Sequence, residues 1–254
     1  MSKLFDHLIQ NLGEAKAISC TIGLNWTVVE TELGCGLAHT PSKNTLGCKP
    51  VEIAGQLAGS PIRTLAGLAF SENLIERAIG TASINAFYNR YDLESEETNG
   101  LNELDSYGSN IAVVGRFPGL DKRGFNPMVI ELNPKEGEHP TDRAEAVIDQ
   151  CDQVIITAST LINGTIENLL GIAKDKKVFL VGPSTPLTPL LFEFGINVLS
   201  GMLVSDPNMA LKIAAEGGSV KNLKSAGRYA TLRKSRENLK ATPQPRLDLQ
   251  ENSH

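Results

Sequence analysis

Apolar positions along this chain follow one pattern in the first third and another from residue 110 onward. Met1–Gln10 has the spacing of an amphipathic helix. Ala17–Gly23, Trp26–Leu33 and Leu33–His39 then alternate or run apolar between glycine-rich joints, which predicts a small antiparallel meander. Helices are predicted at Pro50–Ala58 and Glu72–Tyr88. In the second, Leu74, Ile75, Ala78, Ile79, Ala82 and Phe87 approximate a 3.6-residue stripe behind a Ser71 cap. Residues 1–92 therefore read as an α+β unit. The polar stretch that follows, with Glu94, Glu96, Glu97 and Asn99, makes 93–109 the linker candidate.

Beyond it, short apolar strands alternate with helices. Strands are expected at Ile111–Val114, Met128–Leu132, Val154–Thr157, Lys177–Val181 and Asn197–Gly201. Helices are expected at Thr141–Gln150, Thr165–Ala173, Thr188–Phe194 and Asp206–Glu216. Such alternation is the grammar of a doubly wound, mainly parallel sheet, a Rossmann-like domain over 110–227. The polar, proline-broken stretch 228–254 reads as a loosely ordered tail. The fold class is α/β, with a small α+β domain ahead of the parallel-sheet domain.

Composition narrows the function classes. The formal net charge is −5, and no stretch interleaves basic with aromatic residues, which argues against nucleic acid as a partner. No run approaches the roughly 18 apolar residues of a membrane span. Asp6 and His7 interrupt the opening helix, so it does not resemble a signal peptide, and a cytoplasmic location is expected. Cys20, Cys35, Cys48 and Cys151 lie far apart without a Cys-x-x-Cys pair, as in a reduced compartment. Asn163-Gly164-Thr165 matches a glycosylation acceptor only by accident in such a chain. Self-association into a homo-oligomer is left open.

In an open parallel sheet, ligands lie outside the carboxyl ends of the strands, and four predicted strand ends carry polar, glycine or proline residues. The first runs into Gly115-Arg116-Phe117-Pro118-Gly119, where Arg116 could clamp a carboxylate or phosphate; the Gly-x-Gly-x-x-Gly dinucleotide fingerprint is missing. The second ends in Glu131-Leu132-Asn133, placing a carboxylate where Rossmann-like domains receive ribose hydroxyls. The third feeds Thr157, Ser159, Thr160, Asn163 and Thr165 into a helix start, although each alone is also an ordinary cap. The fourth opens the proline-stiffened loop Gly182–Pro189, with Ser184 and Thr185. In the first unit, Asn25 and Thr27 share one face of an extended segment, and Asn85 and Asn89 stack at i and i+4 on a helix end; paired amides read heteroatom-rich rings well. No nucleophile–base pair is recognisable. Cys35 and His39 share a strand face roughly 13 Å apart, too far for one ion, so no metal site is expected, and the cofactor is unknown.

Taken together, Gly23-Leu-Asn-Trp-Thr27, Gly34-Cys-Gly-Leu37, Ser83-Ile-Asn-Ala86, Val114-Gly-Arg-Phe-Pro118, Glu131-Leu-Asn-Pro134, the segment Thr157–Thr165 and Gly182-Pro-Ser-Thr-Pro-Leu187 resemble the heavy-metal chelation protein family over most of residues 1–220. That resemblance implies an enolase-N-terminal-like domain, a Rossmann-like domain partly similar to methyltransferases, and a site in the cleft between them. It also implies condensation or hydrolysis of flavin, pterin or siderophore-like chelator precursors in metal handling, without requiring that this polypeptide itself bind the metal. Asn133, Thr160, Asn163 and Thr185 would then position a small heteroaromatic or chelator-like ligand. Glu131 or Arg116 would meet its charged or hydroxyl groups, Asn85 or Asn89 would close the cleft, and Glu131 would be the acid/base. Two alternatives stand beside this: a non-catalytic protein that binds or senses a metal chelate, and an S-adenosylmethionine-dependent methyltransferase, the latter disfavoured by bulky Arg116 and Phe117 in the first turn.

Overall fold

The structure, a computed structural model, describes residues 2–42, 49–104, 110–117 and 125–235. Cys48, Gly119 and the tail beyond Ser235 lie outside these residues. Helix α1 (Lys3–Gln10) opens the chain, capped by the Ser2 hydroxyl, and buries Leu4, Phe5 and Leu8. Strands β1 (Ser19–Ile22), β2 (Trp26–Glu30) and β3 (Cys35–His39) form the expected antiparallel meander in that order. Helix α3 (Leu74–Tyr88) packs across it, preceded by the short α2 (Ile62–Ala66). The close approach of α3 to β3 requires Gly36, where a methyl group would collide with the carbonyl of Ala82 and the amide of Ala86.

The second sheet has seven strands in the order β10-β9-β8-β7-β4-β5-β6. They are β4 (Ile111–Val114), β5 (Met128–Glu131), β6 (His139–Pro140), β7 (Gln153–Thr157), β8 (Lys177–Val181), β9 (Ile196–Val204) and β10 (Gly227–Arg233). All neighbours pair parallel except β10, which runs antiparallel to β9. β4 starts in the middle, the chain winds outward through β5 and β6, and β7 returns to the other side of β4. The order therefore reverses between β4 and β7, the switch point at which such folds take ligands. Continuous β-branched runs suit strands buried on both faces, and β4 and β8 are buried from Ile111 and Val178 onward. One face, through Ala112, Val114, Val154 and Ile156, packs under α4 (Ala144–Asp149), α5 (Ser159–Asn163) and α6 (Ile166–Ile172).

Three expectations need correction. Pro50–Ala58 forms turns rather than a helix, and Gly55 within it adopts the left-handed conformation, which an α-helix cannot accommodate. The linker candidate is a wall: Leu101 and Leu104 cover the other sheet face with Val113, Ile155 and Phe179, and the Gly100 N–H donates to Ser200 Oγ. Residues 228–233, expected in the tail, belong to strand β10; Arg233 in it is paired with Glu96 and Glu103.

The two units share one apolar core. A continuous cluster of buried side chains runs from Leu4, Phe5 and Leu8 through Ile79 and Ile84 of α3 to Leu161, Leu180, Leu191 and Leu199. Burying each such side chain contributes roughly 1.5–3 kcal/mol. A second cluster joins Trp26, Val28 and Leu37 of the meander to Met202, Ala210 and Ile213. Helix α7 (Pro207–Ala215), capped by Asp206, thereby clamps the β1–β2 hairpin from the far unit. No described helix is long and apolar enough to cross a membrane.

Candidate functional site

Two groups of polar residues face different surroundings. The first lies in the seam between the units. Asn85, fully buried, donates from Nδ2 to the carbonyls of Leu37 at 2.7 Å and Ser184 at 2.9 Å. Asn89 accepts the Leu187 N–H at 2.7 Å and donates to the Thr185 carbonyl at 3.0 Å. Ser184 Oγ accepts the His39 N–H at 2.9 Å. Asn25 donates to the Gly217 and Gly218 carbonyls, and Thr27 Oγ1 lies 2.9 Å from Thr40 Oγ1. The side chains of Asn25, Asn85, Asn89 and Ser184 satisfy backbone groups that would otherwise be orphaned on burial. Asn85 and Asn89 thus act as stitches holding a closed seam, and the expectation that they close a ligand cleft does not fit this geometry. Gly182, with φ +136°, starts the same loop and packs near Ala158.

The second group lines an open cleft of about 180 Å³ at the carboxyl ends of β4, β5 and β7, the switch point. It brings together Glu131, Thr157, Ser159, Thr160, Asn163 and Thr165, all expected from the sequence. Pockets for drug-sized ligands run from roughly 300 to 1,000 Å³, so this one suits a ring system with a short arm better than a dinucleotide. Apolar walls come from Val114, Ile130, Leu132, Ala144 and Leu169.

The turn chemistry explains the lining. Thr157 ends β7 with its hydroxyl 3.1 Å from Ser159 Oγ, and Thr160 Oγ1 donates to the Thr157 carbonyl at 2.6 Å. Helix α5 stops at Gly164, which is left-handed at φ +81° and returns its N–H to the Thr160 carbonyl. Asn163 Oδ1 accepts both the N–H and the hydroxyl of Thr165, leaving the Asn163 NH₂ with no described partner. What reads as one polar turn is a five-residue helix plus a glycine cap, with its hydroxyls on the cleft side.

Glu131, only 18% exposed at its side chain, ends β5 with Oε2 accepting the Leu132 N–H and Oε1 4.0 Å from Arg116 Nη1. Arg116 is not the free clamp expected. Its Nε and Nη2 donate to the two Glu138 oxygens at 2.9 and 2.5 Å, and Nη2 also reaches the Asn133 carbonyl. This fork holds the Glu138 carboxyl at a pKa of about 2, well below the ordinary carboxylate value, and raises that of Arg116. The Asn133 side chain is exposed outside the cleft, and Phe117 packs against the Leu101 cluster instead of lining it.

Gly115, Thr141 and Asn168 also line the cleft and were not predicted. Gly115 had a legible signal: a glycine directly after the central strand, adopting φ +98° so that the turn lies against Thr157. Thr141 and Asn168 sit on later elements, and nothing local to them indicates a site. Cys35 is fully buried, which pushes its thiol pKa far up, while His39 is exposed at the strand end. Among the described residues, no group of three or more metal-ligating side chains stands together.

These features define a two-unit protein with a Rossmann-like sheet and an open cleft at its switch point. Two family models, both described as “Putative heavy-metal chelation”, match the chain, DUF4213 over residues 5–88 and DUF364 over residues 102–233. The chain belongs to this family, whose function is unknown. A DUF364-family crystal structure of unknown function from Desulfitobacterium hafniense is 31% identical, with a TM-score of 0.80, over 91% of this chain and 98% of that one. One from Pyrococcus horikoshii, 21% identical at a TM-score of 0.78 over 92% and 99%, shares the fold. An uncharacterized protein of Methanocaldococcus jannaschii is 27% identical over 180 residues, 65% of this chain and 69% of that protein.

Proposed function

We propose that the protein binds a small heteroaromatic molecule with a hydroxylated arm, of the pterin, flavin-precursor or nucleoside type, in the switch-point cleft, as part of heavy-metal handling. The observation that carries this reading is the convergence of Glu131 with the Thr157–Thr165 turn on one mostly apolar cleft. The apolar walls suit a ring face. Glu131, with Oε1 unshared at hydrogen-bond distance, suits a hydroxyl pair, as acidic residues at this strand end do elsewhere in the fold.

The donor set favours a ligand that carries its own heteroatoms over an ion held by the protein. Glu138 is committed to Arg116, which also lies against Glu131, so neither carboxylate is free of a cation. In this reading any metal arrives as a complex with the ligand. A catalytic role in condensation or hydrolysis would fall to Glu131 as acid/base.

Calorimetric titration with adenosine, neopterin, riboflavin and S-adenosylmethionine tests binding. Saturable heat with at least one of them, lost in Glu131→Gln without a change in melting temperature, supports the reading. Uniform silence across the panel, or binding indifferent to Glu131→Gln, refutes it. Mass spectrometry of the same mixtures separates enzyme from binder, because only an enzyme yields a new mass.

A further inference from the structure

Arg77, in the second turn of α3, is anomalous for a cation at a seam between units. Its Nε is buried without a hydrogen-bond partner, and no described carboxylate forms an ion pair with it. Long cationic side chains normally bury the stem and keep the head in water. Here part of the head is desolvated, which is costly for an unpaired charge. Burial accordingly lowers the Arg77 pKa, with no neighbouring charge opposing it.

Its location is specific. A methyl group on Gly164 would lie 2.6 Å from Arg77 Nη2 and 3.0 Å from Nη1, so the guanidinium rests on the turn that caps α5. The residues on either side of Gly164, Asn163 and Thr165, line the cleft. Asn163 offers an unpartnered NH₂ there, because Thr165 occupies its oxygen. Arg77, behind the Gly164 turn, and Asn163, on the cleft lining, thus present donors on either side of one turn with no described acceptor matched to them.

We propose that Arg77 is the oxyanion-recognition residue of this site, and that with Asn163 it receives a phosphate or carboxylate group carried by the small molecule in the cleft. The proposal rests on the cleft reading above and deepens it: the ligand is an acid, its ring in the switch-point cleft and its anionic end turned toward α3. The first unit then contributes to recognition through Arg77, although the amide donors of its asparagines are engaged in the seam. A guanidinium suits this task because its planar fork matches two oxygens of phosphate or carboxylate.

The test begins with inorganic phosphate and acetate, titrated by thermal shift and calorimetry at constant ionic strength against chloride. Saturable stabilisation is expected from at least one oxyanion, weakened about ten-fold or more in Arg77→Gln and partly restored in Arg77→Lys. Phenylglyoxal labelling of the wild-type chain, read by mass spectrometry, needs no variant: modification of Arg77 should slow several-fold when the binding oxyanion is present. Comparing adenosine with adenosine 5′-monophosphate and adenosine-5′-carboxylate distinguishes the two anionic groups. Equal oxyanion responses in wild type and Arg77→Gln, or Arg77 labelling indifferent to both oxyanions, would overturn the proposal. Glu131→Gln separates the two readings: it should abolish adenosine binding yet leave the oxyanion isotherm unchanged. If adenosine and the other neutral probes never bind while Arg77-dependent oxyanion binding persists, the ring site fails and the oxyanion site stands.

Discussion

The seam and the cleft are built from the same kinds of residue and do opposite things with them. In the seam, Asn25, Asn85, Asn89 and Ser184 bond backbone groups 48 to 193 residues away. In the cleft, Thr157 pairs with Ser159 and Asn163 with Thr165, each within two residues, and the lining keeps capacity facing outward. An amide at a helix end becomes a structural stitch when a foreign loop covers it, and part of a binding surface when its own turn satisfies only half of it. Polar residue type does not separate the two roles; the range of the partner does.

The largest effect should come from breaking a stitch. Asn89→Ala leaves the Leu187 N–H and Thr185 carbonyl unpaired in the core. It should cost about 2–4 kcal/mol and lower the melting temperature by roughly 5–15 °C in calorimetry, with both units melting together. A variant that melts like wild type would mean the seam amides are incidental. Next is Glu131→Gln in the cleft, expected to leave stability within about 0.5 kcal/mol while removing ligand affinity. Asn163→Ala should be smaller on both counts: a change in melting within the same narrow band, and an affinity loss of roughly five- to ten-fold for whichever probe binds.

The smallest expected effect is electrostatic. Glu138 has a folded pKa depressed to about 2 by Arg116, so the pair contributes stability that is complete above the ordinary value of 4.5 and is lost as pH falls toward 2. Because the pair is solvated, the effect should be slight. A melting curve followed from pH 6 to 2 should show a small acid-side decline that Glu138→Gln lacks. Equal declines in both proteins would show that the fork adds nothing.

Much of the fold was legible because the strands of a parallel sheet are uniformly apolar. Lys177–Val181 appears in the structure with the boundaries read from the sequence, and β7 begins one residue early. Helix α3 starts at Leu74 behind Asn73, which accepts the Ile75 N–H, so the Ser71 cap expected from spacing was two residues off. Strand β10 was illegible because an edge strand that makes ion pairs on one side has the composition of a tail. The cleft's polar arc from Thr157 to Thr165 was visible because it is contiguous in sequence. The fate of Asn85 and Asn89 was not, since their partners sit 48 residues upstream, at Leu37, and about a hundred downstream, at Ser184, Thr185 and Leu187, and no local pattern records what a folded loop will cover.

The shared core bears on how such a chain can be divided. Its two matched segments, 5–88 and 102–233, look like separable modules, yet Leu8, Ile84, Leu161 and Leu191 belong to one cluster of buried side chains. Cut between them, each half would expose the apolar face that the other now covers, and would search for its complement. Co-expressed as two polypeptides, the halves should reassemble; expressed singly, each should aggregate. Neither segment can be traded for an unrelated neighbour without rebuilding the wall between them.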